Sequence, residues 1–333
     1  MLLIKRFFLT VLTLTLLLMA TLGWWVLTPL SMSTPTVDLS IEPQTPVRGI
    51  AQAVADAGVD VNPVVLYIFF RATGQSRKLR AGSYELNIGN TPLDLLRKLS
   101  RGEESLKAIS LIDGWTFRQF RMALTKAEGL KHDTTGLNDD ELMIKLGMPG
   151  IAPEGRFFPD TYTYGKGTSE LRLMQRAANA MTKQLAAAWA QRHSDIQIKS
   201  IDEALILASI IEKETGRESD RTTISRVFHN RLAADMPLQT DPTVIYGMFD
   251  NFDGNLRRAD LHTDHPWNTY TRKGLPPTPI AMPGRNALIA AVQPAPSNAL
   301  YFVAKGDGTS HFSATLEEHN AAVNRYQRKA AGQ

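Results

Sequence analysis

The sequence predicts an α+β protein with an N-terminal transmembrane helix, a small α/β module and a larger mixed α+β domain. An uncharged, leucine-rich stretch opens the chain, and short strand and helix patterns alternate over residues 37–102. Residues 103–333 combine long helical patterns with segments rich in aromatic residues and proline. At 333 residues, 43% of them hydrophobic and 21% charged, the chain is long enough for two domains, each with its own core.

The N-terminal segment is predicted to be a retained membrane anchor. Lys5 and Arg6 precede a stretch from Phe7 to Thr28 that carries neither charge nor proline. About 20 such residues cross the hydrocarbon layer, whereas the apolar core of a cleaved signal peptide has only about 7–15. Because basic residues mark the cytoplasmic side, we expect a cytoplasmic tail at 1–6, a membrane helix at 7–28 and a linker at 29–36.

The α/β module at 37–102 is predicted from alternating short elements. Its helices begin at recognisable caps and first turns, such as Thr91 followed by Pro92. The predicted elements are a strand at 37–41, helices at 47–57 and 63–73, a strand at 79–87 and a helix at 91–99.

The domain at 103–333 is predicted to begin with a strand and to contain several long helices. The predicted elements are a strand at 103–112, a helix at 116–129, a polar surface segment at 130–150, an aromatic segment at 155–164 and a helix at 169–192. A proline- and glycine-rich loop is expected at 235–284, and a structureless loop of that length inside a domain is usually functional.

One helix of this domain is predicted to be buried on all sides. Ser200 and Glu203 have the spacing of a capping box, and residues 204–211 are apolar on nearly every face. Two carboxylates, Glu212 and Glu214, follow at the C-terminal end, where the helix dipole disfavours negative charge.

Either glutamate is a candidate general acid. Glu214 continues one apolar stripe of the helix and Glu212 lies about 200° away on another apolar face, so periodicity does not choose between them. A carboxyl in apolar surroundings has a raised pKa and keeps the proton that a leaving oxygen needs. Alternatively, both glutamates pair with Lys213, Arg217 or Arg221 at the surface.

A second helix, with Ser219 as its predicted cap, follows a stop at Gly216. Two helices joined there would turn Glu214 towards residues 238–247, which offer amides, hydroxyls and an aromatic ring. These are the groups that hold a sugar, so the segment is a candidate binding loop.

Composition excludes several other kinds of site. The chain has no cysteine, which rules out disulfides, thiolate metal sites and cysteine nucleophiles. His262 and His265 lie three residues apart without a helical pattern, so we expect no metal and no cofactor. With 37 basic and 33 acidic residues the net charge is +4, and the short basic run at 77–80 is interpreted as a solvated or membrane-facing surface rather than a nucleic-acid site.

Several segments of the larger domain, in one order, resemble a known family. They are Glu154-Gly155, Phe158–Thr161, Ala208–Thr215, Val227–Leu232, Leu238–Gly247, Asn268–Tyr270, Gly274–Pro277, Pro283-Gly284 and Tyr301–Ala304. Together they resemble the MltG (YceG-like) endolytic murein transglycosylases.

The resemblance implies an enzyme and its site. Glu214 matches the family's catalytic glutamate, residues 103–333 its catalytic domain and residues 37–102 its LysM-like subdomain, the last by position and element order alone. Such an enzyme is a carbon–oxygen lyase, a lytic transglycosylase that cleaves the β-1,4 bond between N-acetylmuramic acid and N-acetylglucosamine and leaves a 1,6-anhydro end. It needs neither a cofactor nor a second carboxylate.

The resemblance also implies a place in the cell. Family members are single-pass proteins of the inner membrane with the catalytic domain in the periplasm. They are expected to act on nascent peptidoglycan strands, ending strand elongation beside the peptidoglycan synthases.

The substrate-binding candidates are polar and aromatic residues of the proline-rich segment. They are Gln239, Thr240, Asp241, Tyr246, Asn268 and Tyr270. Two alternatives stay open: Asp241 as a second catalytic carboxylate, which would make a hydrolase, and a non-catalytic wall-binding protein whose function lies in the 37–102 module.

Overall fold

The computed structural model describes residues 2–328 and has the predicted mixed α+β character. The helices are α1 (Leu2–Leu27), α2 (Val47–Asp56), α3 (Pro63–Ala72), α4 (Pro92–Arg101), α5 (Phe117–Thr125), α6 (Asp139–Lys145), α7 (Glu170–Ala190), α8 (Ile201–Glu214), α9 (Glu218–Ala233), α10 (Asp241–Met248), α11 (Arg258–His262), α12 (Arg285–Val292) and α13 (Leu316–Val323). The strands are β1 (Ser31–Met32), β2 (Thr36–Ile41), β3 (Val59–Asp60), β4 (Gly82–Asn87), β5 (Leu106–Ser110), β6 (Thr161–Gly165), β7 (Tyr301–Ala304) and β8 (Ser310–Ser313). Met1 of the predicted tail and residues 329–333 of the predicted larger domain lie outside the described residues.

The described residues divide into two compact units. Residues 2–108, 128–131 and 163–168 form the first, and residues 109–127, 132–162 and 169–328 form the second. The strands pair two by two, as β1 with β3, β2 with β4, β5 with β6 and β7 with β8.

The N-terminal helix is long and apolar enough to cross a membrane. Within α1, Leu9–Leu27 has a mean hydropathy of 1.9, in agreement with the predicted apolar helix at 7–28. Within the predicted linker at 29–36, β1 pairs with β3. Leu30 is also buried in the core of the first unit, so the chain is fixed soon after the helix ends.

The first unit is built on the antiparallel pair of β2 and β4. Its register runs from Thr36 opposite Asn87 to Ile41 opposite Gly82, and the buried face of β2 meets α2, α3 and α4 in one core. The predicted cap of α4 is present, since Thr91 and Asp94 form a reciprocal capping box.

One of the helices that the sequence prediction missed is α6 in the second unit. Residues 130–150 were expected to be a polar surface segment, but α6 lies within them, with Asn138 and Glu141 as a capping box and Leu142 and Met143 buried. The helix was missed because its first turn is acidic and its buried apolar face is short, so the segment has the composition of a polar surface loop.

The core of the second unit surrounds α8. This helix packs against α7, α9, α10 and α12, and its side chains from Leu207 to Ile211 are buried. It ends at Glu214 because the cap residue Thr215 adopts an extended backbone, φ −149° and ψ 134°, and the predicted stop Gly216 is the next residue. Ser219, in contrast, does not cap α9, because that helix already begins at Glu218 and Arg217 occupies the cap position.

The predicted loop at 235–284 also contains helices. The α10 helix begins at Asp241 with proline in its first turn, and α11 follows at Arg258. Proline is well suited to a first helical turn, where its missing N–H has no partner to lose. No helix was predicted over Asp241 and Pro242, although Asp241 was predicted to bind substrate or to act as a second catalytic carboxylate.

Candidate active site

Glu214 is the last residue of α8 and lies half-buried at the edge of the core. Burial is the largest influence on its carboxyl and raises the pKa of Glu214 to about 7. The hydrogen bond that Thr240 donates to Oε1 acts in the opposite direction, and the charge of Asp241 raises the pKa again. Within residues 2–328 no cation pairs with Glu214, so it can hold a proton close to neutral pH.

Glu212 has a different environment, although it lies only two residues away. Arg221 donates to both of its carboxylate oxygens, at 3.1 and 3.2 Å, and the Gly284 N–H donates to Oε2 at 2.9 Å. The alternative reading of the sequence, ion pairing with a nearby arginine, therefore holds for Glu212 and not for Glu214. Glu212 is a structural anion that joins α8 to α9 and to the start of α12.

A network of hydrogen bonds holds the Thr240 hydroxyl next to Glu214. The Thr240 N–H donates to Thr269 Oγ1 at 3.1 Å, and Thr243 Oγ1 donates to the Thr240 carbonyl at 2.8 Å. The Gln239 N–H donates to the Thr269 carbonyl at 3.0 Å. Residues that are far apart in the sequence thus fix the Thr240 hydroxyl, which donates to the Glu214 carboxyl.

Asp241 and Tyr270 form a polar pair beside this hydroxyl. Tyr270 donates its hydroxyl hydrogen to Asp241 Oδ1 at 2.5 Å. Burial raises the pKa of Tyr270, and the charges of Asp241 and Glu214 raise it further. Asp241 is exposed and Tyr270 half-buried, so both can meet a ligand at the surface near Glu214.

Gln239 lies on the exposed side of the same loop, in a left-handed backbone conformation with φ 52°. Its side-chain oxygen accepts a hydrogen bond from Arg231 Nη1 at 3.1 Å. The same nitrogen also donates to the carbonyls of Pro237 and Leu238, at 3.1 and 3.0 Å. Arg231 therefore holds the whole loop that carries Gln239 and Thr240.

Asn268 differs from the other predicted binding residues because it is fully buried. Its amide nitrogen donates to three backbone carbonyls, those of Asp260 at 3.3 Å, Leu261 at 3.2 Å and Thr263 at 2.8 Å. Its side-chain oxygen accepts from the Tyr270 N–H at 2.9 Å. With its hydrogen bonds used in this way, Asn268 shapes the loop and offers no surface to a ligand.

Tyr246, on α10, also faces the protein interior. Its ring packs edge-on against Trp267, with centroids 5.6 Å apart, and its hydroxyl donates to Glu154 Oε2 at 3.2 Å. These contacts make Tyr246 a support of α10.

Glu154 is a second buried carboxyl, to which the sequence analysis gave no role although it lies in one of the segments that resemble the family. Both of its oxygens accept from the Phe117 N–H, at 3.0 and 3.1 Å, at the start of α5. Burial raises the pKa of Glu154 to about 7, against the effect of these hydrogen bonds and that of Tyr246. Its oxygens are occupied and the residue is buried, whereas Glu214 is half-buried with one hydroxyl partner. Of the two, Glu214 is the better placed to exchange a proton with a ligand.

The histidines of the proline-rich segment show no metal-binding arrangement. His265 lies against Gly247 of α10, and the neighbouring Asp264 pairs with Arg272. In the part of the chain that the structure describes, no three His, Asp or Glu side chains form a group that would hold a metal ion.

Comparison with known proteins adds an independent observation. A family model described as the YceG-like family matches residues 39–325. The chain belongs to the YceG-like family. The matched range includes every predicted site residue and nearly all of both units, leaving out α1, β1, the first residues of β2 and the residues after 325.

Relatives with curated names are similar over most of the chain. The endolytic murein transglycosylase of Bacillus subtilis strain 168 is 31% identical over 311 residues, covering 88% of this chain and 86% of its own length. That of Streptococcus pneumoniae strain D39 is 28% identical over 323 residues, but the chain spans only 58% of that longer protein. A crystal structure of a yceG-like protein from Listeria monocytogenes is 28% identical, has a TM-score of 0.53 and covers 87% of this chain and 99% of that one.

Proposed function

We propose that this protein is a lytic transglycosylase that cleaves the glycan strands of peptidoglycan, with Glu214 as both acid and base. The single observation that carries the residue assignment is the environment of Glu214. It has a pKa near 7, no cation partner among the described residues and a fixed hydroxyl beside it. Membership of the YceG-like family and the names of the relatives support the enzyme class.

The proposed reaction uses one proton twice. Protonated Glu214 gives its proton to the oxygen of the β-1,4 bond between N-acetylmuramic acid and N-acetylglucosamine, and that oxygen leaves with the glucosamine. Positive charge develops at the muramic C1. Ionised Glu214 then takes the proton of the muramic 6-hydroxyl, whose oxygen bonds to C1 and closes the 1,6-anhydro ring. Glu214 is again protonated, and no water has been consumed.

One carboxylate is sufficient for this chemistry. Ordinary glycosidases need a second carboxylate as nucleophile or as a base for water. Here the 6-hydroxyl is part of the substrate, so its attack is intramolecular and has a high effective concentration. A pKa close to the working pH suits a group that must both donate and accept a proton.

The surroundings of Glu214 suggest how the other candidates contribute. Thr240 would keep Glu214 oriented and stabilise its ionised form between the two proton transfers. Asp241 and Tyr270, together with Gln239, lie at the surface and are proposed to bind the strand. Asn268 and Tyr246 are proposed to position the loop and α10.

Asp241 remains the specific rival, because a second carboxylate near Glu214 would suit a hydrolase. Its oxygen is already bonded to the Tyr270 hydroxyl, which favours a binding role over activation of water. Product analysis distinguishes the two reactions: a transglycosylase leaves an anhydro end and a hydrolase leaves a reducing end, heavier by one water.

The proposed location follows from α1. If this helix spans the inner membrane with residues 1–6 in the cytoplasm, both units lie on the periplasmic side, close to newly made strands and to the synthases that extend them. We propose that cleavage there ends strand elongation. The LysM-like identity of residues 37–102 belongs to the same proposal, and a wall-binding module without catalysis is its alternative.

The decisive experiment is digestion of purified sacculi by the full-length protein in detergent. We expect the wild type to release fragments with 1,6-anhydro ends and Glu214→Gln to release none while still binding glycan. Glu154→Gln is the matched control, because it changes the other carboxyl with a pKa near 7 at a site where the substrate has no access. Full activity of Glu214→Gln would refute the assignment, and reducing ends from the wild type would refute the reaction.

A further inference from the structure

Helix α3 in the first unit exposes an apolar face. Val64, Val65 and Ile68 are 56%, 38% and 57% exposed, although Leu66 and Phe70 on the opposite side are fully buried in the core. Ile68 lies one turn after Val64 and Val65, so the three exposed side chains are on the same side of the helix. A soluble helix normally turns charged or polar residues outwards, so this face is suited to an apolar surrounding.

The position of α3 relative to α1 indicates what that surrounding is. Trp25, near the C-terminal end of α1, packs edge-on against Phe69 of α3 with ring centroids 5.8 Å apart. Indole rings favour the boundary between lipid and water. The exposed face of α3 therefore lies next to the point where the apolar helix would leave a bilayer.

The charged side chains of α3 and of the stretch that follows it are all basic. No acidic residue occurs between Asp60 and Glu85. The same stretch contains four exposed basic residues, which are Arg71, Arg77, Lys78 and Arg80. Exposed apolar side chains next to a cluster of lysine and arginine are typical of segments that lie on anionic membranes.

We propose that α3 and the basic stretch after it dock on the anionic surface of the membrane that α1 enters. Val64, Val65 and Ile68 would insert among the lipid headgroups, and the basic side chains would contact lipid phosphates. The anchor would then be continuous with a second, peripheral contact. That contact would hold the first unit on the bilayer surface instead of leaving it free to rotate about α1.

The test uses the full chain in vesicles, and the absence of cysteine makes it simple. Ile68→Cys places a single environment-sensitive label on the exposed face of α3. Gln52→Cys is the matched control in the same unit, since Gln52 is an exposed residue of α2. Its side chain lies beside Asp56, to which it donates a hydrogen bond, and anionic lipid would repel that carboxylate. Co-flotation with vesicles measures insertion of α1 separately, so failure of the anchor is recognised as such.

We expect a label at position 68 to be quenched by nitroxide-bearing lipids at least about twofold more than a label at position 52 in vesicles rich in phosphatidylglycerol. Combining Arg77→Gln and Lys78→Gln with the labelled variant should lower this quenching towards the value in neutral vesicles, without reducing flotation. Equal quenching at positions 68 and 52 in floated protein would overturn the proposal. The proposal would also be overturned if the quenching at position 68 depended on the protein-to-lipid ratio and not on the lipid charge, because a second copy of the chain would then cover the exposed face of α3.

Discussion

Replacing Glu214 with glutamine should abolish cleavage while leaving the fold intact. Glutamine has nearly the same shape and can still accept the hydrogen bond from Thr240, but it has no proton to transfer. Loss of a positioned general acid or base lowers rates by about 10²–10⁴. Because the proposed mechanism uses Glu214 in both steps, we expect the upper end of that range.

The same substitution makes a prediction about stability with a definite sign. The folded protein raises the pKa of Glu214 from 4.5 to about 7, so its contribution favours folding below pH 4.5 and is lost as the pH rises through 7. A change of that size corresponds to about 3 kcal/mol. Between pH 4 and pH 8 the wild type should lose this amount of stability relative to Glu214→Gln, because the similar contribution of Glu154 is common to both proteins.

Thermal melting at several pH values is the appropriate assay. For a unit of this size, about 3 kcal/mol corresponds to a difference in Tm of about 6–12 °C. We therefore expect Glu214→Gln to melt close to the wild type at pH 5 and above it at pH 8. The activity of the wild type should fall about tenfold per pH unit above pH 7, as Glu214 loses its proton.

The matched control is Glu212→Gln, two residues away on the same helix. Its side chain is 5% exposed and pairs with Arg221, which is 13% exposed. Leaving a buried arginine unpaired costs about 3 kcal/mol or more, so this variant should melt below the wild type at pH 8. The reasoning would be refuted if Glu214→Gln also melted below the wild type at pH 8, or if it retained a tenth of the activity.

Three further predictions follow from the contacts around the site. Thr240→Val removes a hydrogen-bond donor that stabilises ionised Glu214, so the alkaline limb of the pH–activity profile should move to higher pH. Thr240→Ser keeps a hydroxyl and should restore the wild-type limb. An unchanged limb in the valine variant would contradict the role of the hydroxyl. Asn268→Ala leaves buried backbone carbonyls without their donor, which should cost about 2–3 kcal/mol and lower the Tm; an unchanged Tm would show that the loop does not depend on this amide. Glu154→Gln should keep the cleavage rate within about tenfold of the wild type, since the Glu154 carboxyl supports α5 and Tyr246 without contacting substrate. A loss of activity as large as that of Glu214→Gln in the sacculus assay would make Glu154 a catalytic candidate.

Helices could be predicted from the sequence where their first residue is fixed by contacts between residues only a few positions apart. The capping boxes at Thr91 and Thr116 are examples, because the partner lies three residues away. Helix α10 was missed because its first turn contains a proline and its last turn contains Gly247, and both are also loop residues. Nothing local separates these two uses, since packing of Val244 into the core is what favours the helix.

The candidate site was less predictable because its decisive contacts are distant in the sequence. Periodicity left Glu212 and Glu214 equivalent. The partner that distinguishes Glu212 is Arg221 on the next helix, and the partner of Glu214 is Thr240, 26 residues away. The burial of Asn268 and Glu154 is likewise a tertiary property, and no pattern of adjacent residues indicates it.

The left-handed backbone at Gln239 has a consequence for engineering a more robust form of the enzyme. A non-glycine residue in this conformation carries about 1 kcal/mol of strain, which glycine would relieve. Glycine, however, would also give up the side-chain oxygen that Arg231 binds, and it would make the unfolded chain more flexible. Position 239 is therefore a poor choice for the usual glycine replacement at a positive φ, and rigidifying changes are better directed to surface loops that Arg231 does not hold.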